Sequence, residues 1–334
     1  MKALILAGGR GSRLKPLTYS TSKQLLKIAN KPTIFYGIES LIESGVDNFG
    51  IIISPETGNQ IKEVVGNGSR WNVNITYIIQ DEPAGLAHAV LTAESFIDNS
   101  PFVMYLGDNI IGDKLNLNIC RSTQVFLKKV DNPIFFGVAE LDNNGKIVSL
   151  EEKPKQPKSN LALVGVYVFT PAIFKACKSI RYSSRGELEI TDAIQWLISH
   201  NYPVYSNKIA SFWLDTGKRD DLLKANQTIL RYGTHDQQGK DTLIQDSHIS
   251  RLSIIGDNCK IINSLIGLYC AIDDNSIVNN SVIDNTIIGK NCTIENVTTG
   301  IQDSIIGSDV IIRKSLRTNP SKIFIGSNSE FIYS

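Results

Sequence analysis

Two patterns mark this chain as an α/β domain followed by a repetitive β tail. Through about residue 110, short apolar runs alternate with stretches whose apolar residues recur every three or four positions. That is the rhythm of a parallel sheet covered by helices on both faces. From about Asp241 the helical spacing stops and aliphatic residues return at steps of five and six, which marks a hexapeptide β-helix. With 334 residues, 42% apolar and 20% charged, the chain can bury a core in each part.

The first strand is the run Ala3 to Ala7, which opens into Gly8-Gly9-Arg10-Gly11-Ser12-Arg13. Seven cations (Lys2, Arg10, Arg13, Lys15, Lys23, Lys27 and Lys31) precede the first carboxylate, Glu39. A strand ending in glycines, with cations and no acid nearby, suits a polyphosphate, because glycines let backbone N–H groups approach phosphate oxygens. A plain tight turn is the alternative reading of the glycines alone. The spacing is neither the dinucleotide fingerprint nor a P-loop, since no Gly-Lys-Ser/Thr closes it. Helices are expected over 34–44, 57–65 and 84–96, and strands over 49–53, 73–79 and 102–106. The glycine loop, Gln80 and Asp108 then all follow strands, on the edge where such sheets hold ligands. Further strands are expected over 135–141, 147–151, 162–169, 204–209 and 211–214, with a hairpin turn at Asp142-Asn143-Asn144-Gly145. Helices are expected over 190–199 and 220–230.

In the repeat, Ile255, Ile261, Ile266, Ile272, Ile277, Ile283, Ile288 and Ile294 are expected to stack inside the coil, with Asn, Asp and Gly at its corners. Cys259, Cys270 and Cys292 share one register with Ser281 and read as small buried residues. The tail from Arg317 is expected to dock back as a cap. Five cysteines without a C-x-x-C pair, and four histidines without mutual spacing, suggest neither a disulfide framework nor a zinc or histidine metal centre. A net charge of +1 gives no reason to expect nucleic acid or an anionic membrane as partner, and the leading apolar run is too short to span a membrane. A cytoplasmic location is expected.

The run Gly8-Gly9-x-Gly11-Ser12-Arg13-Leu14-x-Pro16-Leu17-Thr18, followed by Lys23-Gln24-Leu25-Leu26, resembles the signature of the sugar-phosphate nucleotidylyltransferases. Within them the chain is most similar to the long glucose-1-phosphate thymidylyltransferases. Further motifs follow in order: Pro83-x-Gly85-Leu86-Ala87-His88-Ala89, Leu106-Gly107-Asp108-Asn109, Glu151-Glu152-Lys153-Pro154, Val164-Gly165-Val166-Tyr167, Arg185-Gly186-Glu187-Leu188-Glu189-Ile190-Thr191-Asp192 and Trp213-Leu214-Asp215-Thr216-Gly217. Two positions depart from the pattern: Ser12 stands for the usual Thr, and Lys27 for the usual Pro, adding charge beside the loop. The resemblance implies a Rossmann-like mixed, mostly parallel sheet in a nucleotidyltransferase domain over 1–236, then a left-handed β-helix with a cap over 241–334.

The family's reaction is attack by a sugar 1-phosphate oxygen on the α-phosphorus of a nucleoside triphosphate, with release of pyrophosphate. The nucleophile is already an anion, so the site must align two polyanions and stabilise spread charge rather than supply a base. By resemblance, Arg13, Lys23 and Lys153 are the catalytic cations. Leu6, Gly8, Gly9, Gly11, Ser12, Arg13, Gln24, Gln80, Gly85 and Asp108 would bind the nucleotide, with Gln24 and Gln80 reading the base. Gly137, Glu152, Lys153, Val164 and Arg185 would bind the sugar phosphate. Asp108 and Asp215 would hold Mg²⁺, which takes one or two carboxylates plus substrate phosphates. Glu187 reads equally as a supporting residue or a surface ion-pair partner. The substrates implied are dTTP and glucose 1-phosphate, with the β-helix as a surface for homo-oligomer formation. The alternatives are a relative using UTP or another sugar 1-phosphate, a non-catalytic subunit, and a bifunctional enzyme with an acyltransferase solenoid. The presence of Arg13, Lys23, Asp108, Lys153 and Asp215 weighs against the second. A short repeat with His248 as its lone histidine weighs against the third.

Overall fold

The computed structural model describes residues 1–9, 11–117, 122–233, 237–313, 323–327 and 330–332. Arg10, Cys120 and most of the expected cap lie outside the described residues. The chain forms two compact units that do not follow chain order. The first is Met1–Gly9 with Ile34–Leu214; the second is Arg10–Thr33 with Asp215–Ser334.

In the first unit, a mixed sheet runs in the order Ile147–Glu152, Gly137–Leu141, Leu161–Phe169, Phe102–Leu106, Lys2–Leu6, Asn48–Ile53, Asn74–Ile79. The last four are mutually parallel, as expected of apolar strands joined by helical crossovers. Leu161–Phe169 turns antiparallel against Phe102–Leu106. Ala3, Leu4 and Ile5 are fully buried, which fits a central strand covered on both faces. The strand order reverses beside Lys2–Leu6, so its carboxyl end and that of Phe102–Leu106 form a topological switch point.

One face carries helices Leu86–Thr92, Ala172–Ser179 and Ile190–Ser199 over a core that includes Met104, Phe169 and Ile194. The other carries helix Thr33–Glu43, which comes so near Tyr105 that a Cβ on Gly37 would stand 2.7 Å from its ring. The expected single helix over 84–96 is two, Leu86–Thr92 and Glu94–Ile97. Its start is delayed because Gly85 sits at φ +105°. Strand Thr123–Lys129 and helix Ala172–Ser179 had no expectation. That strand lies between Leu161–Phe169 and Val204–Lys208, where its Thr123 and Gln124 are buried. Its polar ends hide it from hydropathy.

In the second unit, the C-terminal strands form three parallel sheets, a three-sided β-helix in keeping with the left-handed coil expected. One sheet stacks Leu243–Gln245, Lys260–Ile262, Ile277–Asn279, Thr293–Glu295 and Ile311–Arg313 in register. Ile255, Ile261, Ile266, Ile272, Ile283, Ile288 and Ile294 are buried inside, each adding about 1.5–3 kcal/mol of transfer free energy. One expectation is corrected: Ile277 points outward, and its neighbour Val278, fully buried, continues the stack. A strand's alternation sends adjacent side chains to opposite faces, so a one-residue error in register exchanges them. Asn258, Asn263, Asn275, Asn280, Asn285 and Asn291 turn the corners with φ between +40° and +59°, a conformation asparagine tolerates better than most residues. Cys259, Cys270 and Cys292 are buried with Ser281 as expected.

Candidate active site

At the switch point of the first unit, Gly8 follows Lys2–Leu6, and a Cβ on it would lie 3.6 Å from Gln80 Oε1 and 3.5 Å from Ser54 N. Leu6 is buried, and its carbonyl accepts the Gly107 N–H at 3.0 Å. Gln80 is held from behind: its Nε2 lies 3.3 Å from Gly85 O and 3.0 Å from His88 Nδ1. A Cβ on Gly85 would stand 2.5 Å from Leu188 O, so this position needs glycine for both φ and space. The segment around Gly85 is bonded to the Glu187-Leu188 segment, with Leu188 N donating to Ala84 O at 2.8 Å and Ala87 N to Leu188 O at 3.0 Å. Two motifs far apart in sequence thus form one wall.

Asp108 follows Phe102–Leu106 and is 9% exposed. Its Oδ1 accepts the Asn109 side-chain amide at 3.0 Å, and Asn109 Oδ1 accepts the Trp213 indole N–H at 2.6 Å. Tyr105 O–H donates to Asn109 O at 3.0 Å. Burial, with the Asp108 charge added, pushes the Tyr105 phenol above its ordinary range. Trp213 packs on Phe136 at 5.0 Å between ring centres, and Phe136 O accepts the Lys153 N–H at 3.0 Å. A continuous set of contacts therefore links Asp108 to Lys153.

Lys153 has φ +44°, uncommon for a side-chain-bearing residue and more so before proline. Its ammonium lies 3.4 Å from Glu152 Oε1. Glu152 Oε2 sits 3.1 Å from where a Gly137 Cβ would be, and Thr191 Cγ2 and Leu163 Cδ1 fill the rest of that space. Burial raises the Glu152 pKa, Lys153 and Arg185 oppose the shift, and Glu189 adds to it. Arg185 spans three carboxylates: Glu189 at 2.8 Å, Glu152 at 3.4 Å and Glu187 at 3.4 Å. Its guanidinium is thus engaged in positioning acids, a setting that phosphate would have to share. Val164 is fully buried at an irregularity in its strand, where Gly165 adopts φ +77° against Leu106.

In the second unit, Gly11 has φ +62° and its carbonyl accepts the Thr18 hydroxyl at 2.8 Å. Ser12 and Arg13 are exposed in the short turn Ser12–Leu14 that follows. The point where a Gly217 Cβ would stand lies 3.0 Å from Arg13 Nη2 and 3.1 Å from Asp215 Oδ1. Asp215 Oδ1 also accepts the Gly217 N–H at 3.1 Å. The Arg13 cation and the Asp215 carboxylate thus converge on one glycine that keeps both apart from a side chain. Gln24, in the turn Lys23–Leu25, is 1% exposed, and its Oε1 accepts the Ser22 hydroxyl at 2.6 Å. Gly9 is exposed at the end of the first unit.

Among the described residues, Lys2 and Lys27 are engaged away from the glycine loop. Lys2 donates to Phe96 O at 2.7 Å and Ile97 O at 3.3 Å, neutralising a helix end. Lys27 pairs with Asp273 at 2.7 Å. The expectation that Lys27 adds net charge beside the loop is therefore corrected, because a buried carboxylate cancels it. Asn109, His88, Glu189, Thr191 and Trp213 lie within the same motifs and support the side chains beside them. Only their spacing on strands and helix ends could have pointed to them.

Among the described residues, no helix is long and apolar enough to cross a membrane, and no group of three or more metal-ligating side chains occurs. A parallel sheet with acid, amide and glycine gathered at its switch point is the layout of a nucleotide-handling enzyme. Residues 2–232 match the nucleotidyl transferase family, and the chain belongs to that family and is an enzyme of that class. In particular, it is 40% identical to a glucose-1-phosphate thymidylyltransferase of Streptomyces antibioticus, over 99% of both chains. A crystal structure from Bacillus anthracis, described as a candidate glucose-1-phosphate thymidylyltransferase in complex with a sucrose, is 36% identical with TM-score 0.66. It covers 71% of this chain and 97% of its own. A UDP-glucose pyrophosphorylase complexed with UDP-glucose is 25% identical with TM-score 0.61, over 69% of this chain and 98% of its own.

Proposed function

We propose that this enzyme transfers a thymidylyl group from dTTP to glucose 1-phosphate, giving dTDP-glucose and pyrophosphate. The observation that carries the reading is the sheet's carboxyl edge, where Gly8, Gln80 and Asp108 follow three strands of one sheet and Gly8 lies against Gln80, taken with a full-length relative named for this activity. Gly8, Gly9, Gly11 and Ser12 present backbone and hydroxyl donors to the triphosphate, and Leu6 floors the nucleotide. Arg13 and Lys23 neutralise charge as the sugar phosphate oxygen attacks the α-phosphorus in line and pyrophosphate leaves. Gln80 and Gln24 offer amides to the base edge, and Gly85 lets the base lie against backbone. Lys153 takes the sugar 1-phosphate, Glu152 and Arg185 hold hydroxyls and phosphate, and Gly137 and Val164 line the sugar.

The oxygen-only donors of Asp108 and Asp215 suit Mg²⁺, whose remaining positions substrate phosphates would fill. When bound, the ion would neutralise phosphate charge. The division into a nucleotidyltransferase domain over 1–236 and a β-helix over 241–334 belongs to this reading, as do a cytoplasmic location and self-association through the coil. The four free, buried cysteines among the described residues support the former, and flat parallel faces support the latter.

The test is pyrophosphate release with glucose 1-phosphate and Mg²⁺, comparing dTTP with UTP. Release favouring dTTP is expected. Equal rates would widen the nucleotide class, and no release with either would reject the activity.

A further inference from the structure

The turn Lys23–Leu25 leads into a small hairpin, Lys27–Ile28 against Lys31–Pro32. Leu26 O joins the two by accepting the Thr33 backbone N–H at 3.0 Å and its hydroxyl at 2.8 Å. The hairpin tip is Ala29-Asn30, with φ +46° and +59°. The left-handed region costs an alanine free energy, and such a residue persists only where its surroundings over-determine it.

Those surroundings are one corner of the β-helix. Lys27 reaches Asp273 through both carboxylate oxygens, at 2.8 and 2.7 Å, and Asp273 is 4% exposed. Asn30 Nδ2 donates to Ile272 O at 2.8 Å. Asn226, fully buried, accepts the Ala29 N–H at 2.9 Å and donates to Tyr269 O at 2.8 Å. Residues 269–273 therefore receive three separate tethers. Packing is incomplete beside them: Ile28 is fully buried, but a pocket of about 150 Å³ opens between Leu17, Leu25 and Leu26 of the loop segment and Ile287, Ile288 and Ile305 of the coil. The directional bonds add to that packing and fix the orientation of the hairpin.

We propose that Lys27, Asn30 and Asp273 are positioning residues, through which a single coil of the β-helix sets the place of the Lys23–Gln24 turn. The inference rests on the roles given above to Lys23 and Gln24. It makes the repeat part of the working site as well as a surface for self-association. It also accounts for the lysine at position 27: an ion pair needs it, and a proline could not supply one.

The experiment measures dTTP KM and kcat, together with amide hydrogen exchange over residues 22–33, for Lys27→Met, Asp273→Asn, the double variant and Lys27→Arg. Each single variant is expected to raise dTTP KM about tenfold and to lower kcat by about fivefold or more, because Gln24 and Lys23 lie in one turn. Exchange over 22–33 should quicken in parallel. The double variant is expected to be no worse than either single, since partners in one bond are not additive, and Lys27→Arg should stay near wild type. Unchanged exchange would overturn the proposal. So would faster exchange with unchanged KM, which would leave the tether merely structural. If Asp273→Asn does not fold, Asn30→Ala removes a more exposed tether and carries the same reading. If the wild-type chain releases no pyrophosphate, the assigned activity fails separately, and exchange alone decides whether the coil fixes the turn.

Discussion

Trp213 and Asn109 are joined by a 2.6 Å hydrogen bond from indole N–H to amide oxygen. It orients Asn109 so that its N–H₂ group faces Asp108. The Asp108 carboxylate thereby receives a fixed neutral donor, the Asn109 amide. Asp108→Asn is expected to lower turnover by roughly 10²-fold or more, as loss of a principal electrostatic group does, with the melting temperature little changed. Trp213→Phe keeps a smaller aromatic ring against Phe136 and removes the donor. A loss of about 0.5–1.5 kcal/mol in stability is expected, with a smaller fall in turnover. Denaturant melts and pyrophosphate release check both.

Gly85→Ala places a methyl 2.5 Å from Leu188 O at φ +105°. Destabilisation of more than about 1 kcal/mol is expected, since neither the backbone nor a bonded carbonyl can give way cheaply. Retention of wild-type stability would mean that the two motifs need not touch.

Arg185→Lys keeps the charge but loses the fork that meets Glu189 at two oxygens. A loss of about 1–3 kcal/mol is expected, the scale of hydrogen bonds to charged groups. The Glu189 side chain, 5% exposed, is left under-bonded. Thermal melts of wild type, Arg185→Lys and Glu189→Gln would show it, and equal melts would reduce Arg185 to a surface charge.

Burial holds the Glu152 pKa above the ordinary 4.5. In that window the folded state binds more protons than the unfolded one, so stability falls as pH rises from about 4.5 through the raised value. Glu152→Gln has no proton to lose. The wild-type minus Glu152→Gln stability difference should therefore decline across that window and be flat above it. An increasing difference would reverse the assigned cause.

Burial pushes the thiols of Cys177, Cys270 and Cys292 up to about 12, and that of Cys259 to about 11. Only the thiolate reacts readily. These four are expected to resist a disulfide reagent at pH 8 in the native protein and to react at once in denaturant. Fast native labelling of Cys259, Cys270 or Cys292 would contradict the burial of the coil's interior, and labelling of Cys177 that of the first unit's core.

Much of this was legible because periodicity reports which face is buried. The Phe102–Leu106 strand and the Ile190–Ser199 helix agree with expectation to the residue. Val278 was misjudged because Ile277, equally apolar, stands beside it, and hydropathy cannot choose between neighbours. Thr123–Lys129 escaped because its burial comes from two flanking strands distant in sequence. The site was legible at the level of motifs. Its supporting contacts, such as Trp213 to Asn109 and Arg185 to Glu189, depend on which chain ends the sheet brings together, and no local pattern encodes that. Lys27 shows the same limit: its partner lies 246 residues away.

That separation has a counterpart in time. At roughly 5–20 residues per second of synthesis, Lys27 emerges about ten to fifty seconds before Asp273. The hairpin at residues 27–32 is thus among the first parts of the chain to be made and among the last to find its partners. A growing chain that has already closed its parallel sheet still lacks Asp273, so on the ribosome the Lys27 ion pair is completed by a residue made long after it.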